Sequence, residues 1–111
     1  MIPPPLRKNL LRGKLLFNQG HFFESHEVLE EVWMETRGRE KLWIQGLIQA
    51  AAGFHKLKQG SPTGAVRLLK RSADKLIPAD DPVLAGFGRE IETCMQAIQK
   101  GTFEWNVPKM S

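Results

Sequence analysis

The chain contains no tyrosine, few runs of β-branched residues and no alternation of apolar and polar residues of useful length. A half-buried strand requires that alternation, because successive side chains point to opposite faces of a sheet. A β architecture is therefore excluded. Cysteine is nearly absent too. The single Cys94 rules out an internal disulfide and a cysteine-based zinc site, and it fits a reducing, cytoplasmic setting. Long apolar runs are missing. The most apolar stretch, Leu42 to Phe54, is interrupted by Gln45 and Gln49 and falls short of the roughly 20 residues that span a bilayer. No secretory leader is expected, because Met1-Ile2-Pro3-Pro4-Pro5 leads into the basic residues Arg7, Lys8 and Arg12 without an apolar stretch of signal-peptide length.

Several chemical motifs are missing as well. The Gly-Ser-Pro-Thr-Gly run at 60–64 lacks the Lys-Ser or Lys-Thr of a phosphate-binding loop. The residue three after Glu27 is Glu30 and not histidine, so the zinc-peptidase pattern is not met. The Glu-x-x-His pairs of di-iron bundles are also absent.

What remains is ordinary globular composition, 41% hydrophobic and 25% charged over 111 residues. That length suits one domain, 1–111, with a core over 5–100 and an irregular tail over 101–111. The net charge of +4 is modest, and without an aromatic and basic cluster it argues against a nucleic-acid role. Helical periodicity with punctuation predicts an all-α fold, a compact bundle of about five antiparallel helices joined by short loops.

The first helix is expected from about Pro5 to Asn18, with Leu6, Leu10, Leu11, Leu15 and Phe17 inward and Gly20 as its terminator. The second runs from about Phe22 to Thr36 and stops at Gly38. The third runs from about Glu40 to Lys58 and stops at Gly60. The fourth opens at Ser61-Pro62 and ends before Pro78. The fifth opens at Asp81-Pro82 and ends before Gly101. The aromatics of the tail, Phe103 and Trp105, suggest that it docks on the body or on a second subunit, which leaves room for a homo-oligomer.

The second helix carries the chemistry. A rotation of about 100° per residue places Phe22, His26, Leu29 and Trp33 on one stripe. It sends Glu24, Glu27, Glu31 and Glu35 to the opposite face. His26 and Glu30 are the exceptions, a titratable pair four residues apart on the apolar side. Burying either unpaired is costly, and residues at that spacing are neighbours on a helix. Three readings stay open: a hydrogen-bonded structural pair, two side chains at the edge of the apolar face that reach solvent, and a metal or ligand pocket.

The third helix is apolar almost all round and belongs at the centre of the bundle. Its Gly46, Ala50, Ala51, Ala52 and Gly53 permit close approach of neighbours. Gln45, Gln49 and His55 lie within it and would share a polar cluster with His26 and Glu30. As an enzyme-like, hydrolase-like or binding site, that cluster makes His26 and Glu30 the candidate catalytic pair. Gln45, Gln49 and His55 would contact the ligand, with Trp33 and Trp43 as walls. A divalent metal ion would be held by His26, Glu30 and His55. The alternative is a helical interaction module whose cluster only fixes packing. Partners would then meet the glutamate face, or the basic fourth helix with Arg67, Lys70, Arg71 and Lys75.

The run from Phe17-Asn18-Gln19-Gly20-His21-Phe22-Phe23 through Glu24-Ser25-His26-Glu27-Val28-Leu29-Glu30-Glu31-Val32-Trp33 resembles the hallmark of the bacterial and archaeal domain of unknown function 309. So does Gln45-Gly46-Leu47-Ile48-Gln49-Ala50-Ala51-Ala52-Gly53-Phe54-His55-Lys56-Leu57, followed by Gly60 and Gly64-Ala65. The likeness spans about Leu10 to Leu76. It implies a compact all-helical fold and a His-x-x-x-Glu-x-x-Trp signature, here His26, Glu30 and Trp33, to which metal binding has been ascribed.

Overall fold

The structure, a computed structural model, describes residues 2–111; Met1 lies outside the described residues. Five helices follow one another: α1 (Pro4–Asn18), α2 (Phe22–Glu35), α3 (Arg39–Lys58), α4 (Pro62–Leu76) and α5 (Pro82–Lys100). The described residues contain no strand. Glycines end the first three helices or begin the next, and Gly101 ends the last. Gly20, Gly38, Gly60 and Gly101 all have positive φ, between 72° and 84°, a conformation that costs glycine little and other residues more. Asp81 caps α5, its Oδ1 accepting from the N–H groups of Val83 at 2.9 Å and Leu84 at 3.3 Å. Ser61 holds the equivalent place before α4 but its hydroxyl makes no cap bond.

Chain neighbours pack on each other, α1 on α2, α2 on α3, α3 on α4 and α4 on α5. At the α1–α2 contact, Gly13 comes so close that a Cβ there would sit 2.7 Å from Leu29 Cδ2. That approach lets the buried Ser25 hydroxyl donate to the Gly13 carbonyl at 2.8 Å. On α3 and α4 the same device recurs, with Ser72 Oγ donating to the Gly46 carbonyl at 2.7 Å. The radius of gyration, 13.0 Å, is that of a fully compacted chain of this length, about 13 Å.

Phe54 of α3 is wholly buried at the centre. Its ring lies 5.9 Å from that of Phe17, 5.5 Å from Phe22, 6.1 Å from Phe103 and 6.5 Å from Trp105. Phe17 reaches Phe87 at 5.9 Å and so ties α5 to α1. Two of the residues expected inside α1, Leu11 and Leu15, are exposed instead. Only one side of α1 meets the bundle, along Leu6, Leu10, Gly13 and Phe17. Leu11 is turned about 100° from Leu10, and Leu15 lies beyond that stripe.

The tail is strapped to α1. Asn18 Nδ2 donates to the Met110 carbonyl at 2.9 Å, and the Met110 N–H donates to Asn18 Oδ1 at 2.8 Å. Lys109 Nζ donates to the Asn18 carbonyl, Lys14 Nζ donates to the Ser111 carbonyl, and Met110 is buried. An Asn18→Ala change removes the two-way side-chain bridge and leaves the lysine contacts. The expected loss is about 1–2 kcal/mol, two partly buried hydrogen bonds at roughly 0.5–1.5 kcal/mol each. Denaturant unfolding measures that loss, and faster amide exchange at Met110 would place it in the strap.

Candidate functional site

α2 presents a buried stripe of Phe22, Ser25, Val28, Leu29 and Val32. This differs from the sequence-based stripe of Phe22, His26, Leu29 and Trp33. Gly13 allows α1 to approach on the Ser25 side, which rotates the buried face away from His26. His26 and Trp33 become half-buried edge residues, and Glu30 lies beyond the edge. His26 and Glu30 side chains are 30% and 51% exposed. The expectation that Glu30 turns inward is therefore corrected: it stands at the surface and reaches back to His26.

That reach is the core of the site. His26 Nε2 lies 3.2 Å from Glu30 Oε2. The carboxylate beside Nε2 favours a proton on that nitrogen and leaves Nδ1 as the ring's other hydrogen-bonding atom. Nδ1 is buried and has no hydrogen-bond partner. Two other buried side-chain atoms among the described residues share that condition, Trp33 Nε1 and Gln49 Oε1. All three belong to residues singled out from the sequence. Buried polar atoms are nearly always bonded, so each exception calls for an explanation.

Phe23, one residue beyond Phe22 of the stripe, organises the surface here. Its ring stacks on His26 at 6.1 Å and meets His55 at 5.2 Å. One cleft of about 300 Å³ is lined by Phe23, His26, Ala52, His55, Lys56 and Gln59. A second, of about 310 Å³, is lined by Phe23, His26, Glu27, Glu30, Glu31 and Met34. Only His26 and Phe23 are common to both. The signal available in the sequence was an aromatic one residue off the apolar stripe.

The remaining expected members do not join them. Gln45 and Gln49 line neither cleft. Trp33 packs on the Leu6, Val32 and Ile44 cluster, with Lys41 Nζ 4.2 Å from its ring centre. Trp43 lies in a separate cavity of about 360 Å³ with Leu10, Lys14, Ile44, Leu47 and Leu84. There burial pushes the Lys14 ammonium below the usual lysine range, partly opposed by the charge of Asp81.

The donors do not fit a metal ion. No group of three or more His, Cys, Asp or Glu among the described residues is placed to hold one. The ring of Phe23 makes contact with both His26 and His55, where a shared ion would need their nitrogens to converge. A nucleophile is also missing beside the imidazole. Ser25 is buried and donates to Gly13, and Cys94 is buried with its thiol pushed up, first by burial and then by Glu90.

Fold and site together define a small all-α bundle with a half-buried imidazole at the edge of one helix. The family model described as "Domain of unknown function (DUF309)" matches residues 10–68, and the chain belongs to that family. It is similar to an uncharacterized protein of Aquifex aeolicus (strain VF5), 36% identical over 64 residues, which are 57% of this chain and 19% of the relative. It is also similar to the uncharacterized protein YpuF of Bacillus subtilis (strain 168), 29% identical over 80 residues, 70% of this chain and 45% of the relative. The chain thus spans less than half the length of either curated relative. No solved structure matches it. Among the described residues, no helix is long and apolar enough to cross a membrane.

Proposed function

We propose that the α2–α3 surface around His26 binds a small polar ligand that presents a hydrogen-bond donor to Nδ1. The observation that carries this is the setting of one ring: Nε2 lies 3.2 Å from Glu30 Oε2, and Nδ1 is buried and unpartnered. In this reading Glu30 favours the Nε2–H tautomer, the role of a carboxylate beside a general-base histidine. Phe23 is half exposed, stacks on the ring and lines both clefts beside it. With no serine or cysteine nucleophile at hand, any hydrolysis would use water activated at Nδ1.

A long-range proton–nitrogen spectrum of the imidazole tests the tautomer. It is expected to show Nε2–H in the wild type; a dominant Nδ1–H form would overturn the assignment. A fragment screen read by amide shifts is expected to give hits that move Phe23, His26 and His55 together and vanish in His26→Gln. Hits that ignore that substitution, or none at all, count against the site.

A second reading makes the chain a helical interaction module in which the His26–Glu30 pair is structural. It is favoured by the separation of charge between helices. α2 carries five glutamates and no lysine or arginine, whereas α4 carries Arg67, Lys70, Arg71 and Lys75 against the single Asp74.

A further inference from the structure

Each helix packs on its chain neighbours, so the first and last, α1 and α5, do not lie along each other. Phe17 and Phe87 bring them together. The space left between them is the cavity of about 360 Å³ that holds Trp43, within the roughly 300–1,000 Å³ of small-molecule sites. It shares no lining residue with the two clefts beside His26. Its walls are mainly apolar, from Leu10 of α1 through Trp43, Ile44 and Leu47 of α3 to Leu84 of α5.

Four charged side chains also line it, Arg7, Lys14, Glu40 and Asp81. Three of them answer to other groups. Arg7 Nε donates to the Ile2 carbonyl at 2.8 Å. Asp81 Oδ1 accepts from the N–H groups of Val83 and Leu84. Glu40 stands in the first turn of α3, where the helix dipole favours a negative charge. Lys14 is the exception. It is half-buried, and among the described residues its Nζ has one hydrogen-bond partner, the Ser111 carbonyl at 2.7 Å. An ammonium can donate three such bonds. Burial lowers its pKa by more than the charge of Asp81 restores, so the charged form still lacks a full counter-charge.

We propose that this cavity binds a small amphiphile with a carboxylate head, the head paired with Lys14 and the apolar body lying along Leu10, Trp43 and Leu47. Arg7 and Lys14 stand seven residues apart on α1, about 10 Å of helix, which sets the length of the body. A carboxylate supplies both the acceptors and the charge that the ammonium lacks, and hydrogen bonds between ions are about twice as strong as neutral ones. A neutral analogue gains only the apolar burial.

Isothermal titration calorimetry of the full chain with octanoate tests the proposal, with 1-octanol as the neutral analogue. Octanoate is expected to bind one-to-one, more tightly than octanol, and to move the amide signals of Leu10, Leu47 and Leu84. Lys14→Met keeps the apolar stem and leaves the tail strapped through Asn18 and Lys109. It is expected to weaken octanoate by about tenfold and to leave octanol unchanged. In the wild type, octanoate affinity is expected to fall as pH rises through the titration of Lys14, beginning below the usual lysine range. Arg7, Glu40 and Asp81 keep their charges there, and octanol binding stays flat. Leu84→Trp fills the cavity without touching a charge and is expected to weaken both ligands. Far-ultraviolet circular dichroism checks that the variants keep their helices. Octanoate that fails to bind up to millimolar concentration overturns the proposal. So do signal changes centred on Phe23, His26 and His55, and an octanoate affinity that Lys14→Met leaves intact.

Discussion

Replacing Phe54 with alanine is expected to remove about 3–5 kcal/mol of folding stability, the range for losing a fully buried aromatic. Domains of this kind hold roughly 5–15 kcal/mol in all, so the variant would sit near the edge of folding. Position, more than size, sets the cost. Phe54 touches rings from α1, α2 and the tail, through Phe17, Phe22, Phe103 and Trp105, and it has no solvent-exposed surface. The hole cannot be filled from one side without unseating another contact. Urea unfolding should show the midpoint fall with little change in slope, because the surface exposed on unfolding stays nearly the same. The tail should loosen within the folded state, seen as faster amide exchange from Phe103 to Met110. Leu15→Ala provides the contrast. Leu15 was expected inside but is exposed, and its loss should change stability by no more than about 0.5 kcal/mol. A loss below about 1 kcal/mol for Phe54→Ala would show that the surrounding rings collapse into the space.

Helix ends were legible because backbone chemistry announces them. Gly20, Gly38, Gly60 and Gly101 follow or precede periodic segments, and all adopt positive φ. The central place of α3 was legible in its run of small and apolar residues, seven of which are buried. Helix faces were harder, since periodicity gives angles without saying which neighbour sits where. Gly13 in the middle of α1 held the missing information. An isolated glycine in a helical pattern signals a close backbone approach, and here it draws α1 onto Ser25 and turns α2 by part of a residue's rotation. That turn carries Glu30 to the surface and leaves His26 at the edge. The glutamines were assigned to the same cluster on helix proximity alone, and neither lines the clefts. Phe23, which lines both, carried no titratable group to draw attention. The strap between Asn18 and Met110 joins residues 92 positions apart, a separation at which local pattern carries no signal.

Gly46→Ala poses the sharpest contest between local and tertiary preference. Alanine is favoured over glycine inside a helix by about 1 kcal/mol, so the local effect is stabilising. The tertiary effect opposes it. A Cβ at Gly46 would stand 2.8 Å from Leu76 Cγ, 2.9 Å from Leu76 Cδ2 and 3.4 Å from Lys75 Cβ. Leu76 is completely buried, and its Cβ stands only 2.8 Å from where a Cβ on Gly88 of α5 would lie. Relief must come from moving α4 away, which stretches the bond from Ser72 Oγ to the Gly46 carbonyl. Gly53 faces Leu69 in the same way, its Cβ position 2.7 Å from Leu69 Cδ2. The two helices thus approach closely at both sites, and neither can give alone. Overpacking of this kind costs about 1–3 kcal/mol, and a weakened buried hydrogen bond adds roughly 1 kcal/mol. The tertiary cost wins, and a net loss of about 1–3 kcal/mol is expected. Gly86→Ala on α5 isolates the local effect. Nothing lies within 4 Å of its Cβ position, so a gain of up to about 1 kcal/mol is expected. Denaturant midpoints that move in opposite directions for the two alanines would verify the close α3–α4 approach, and a gain at Gly46 would refute it.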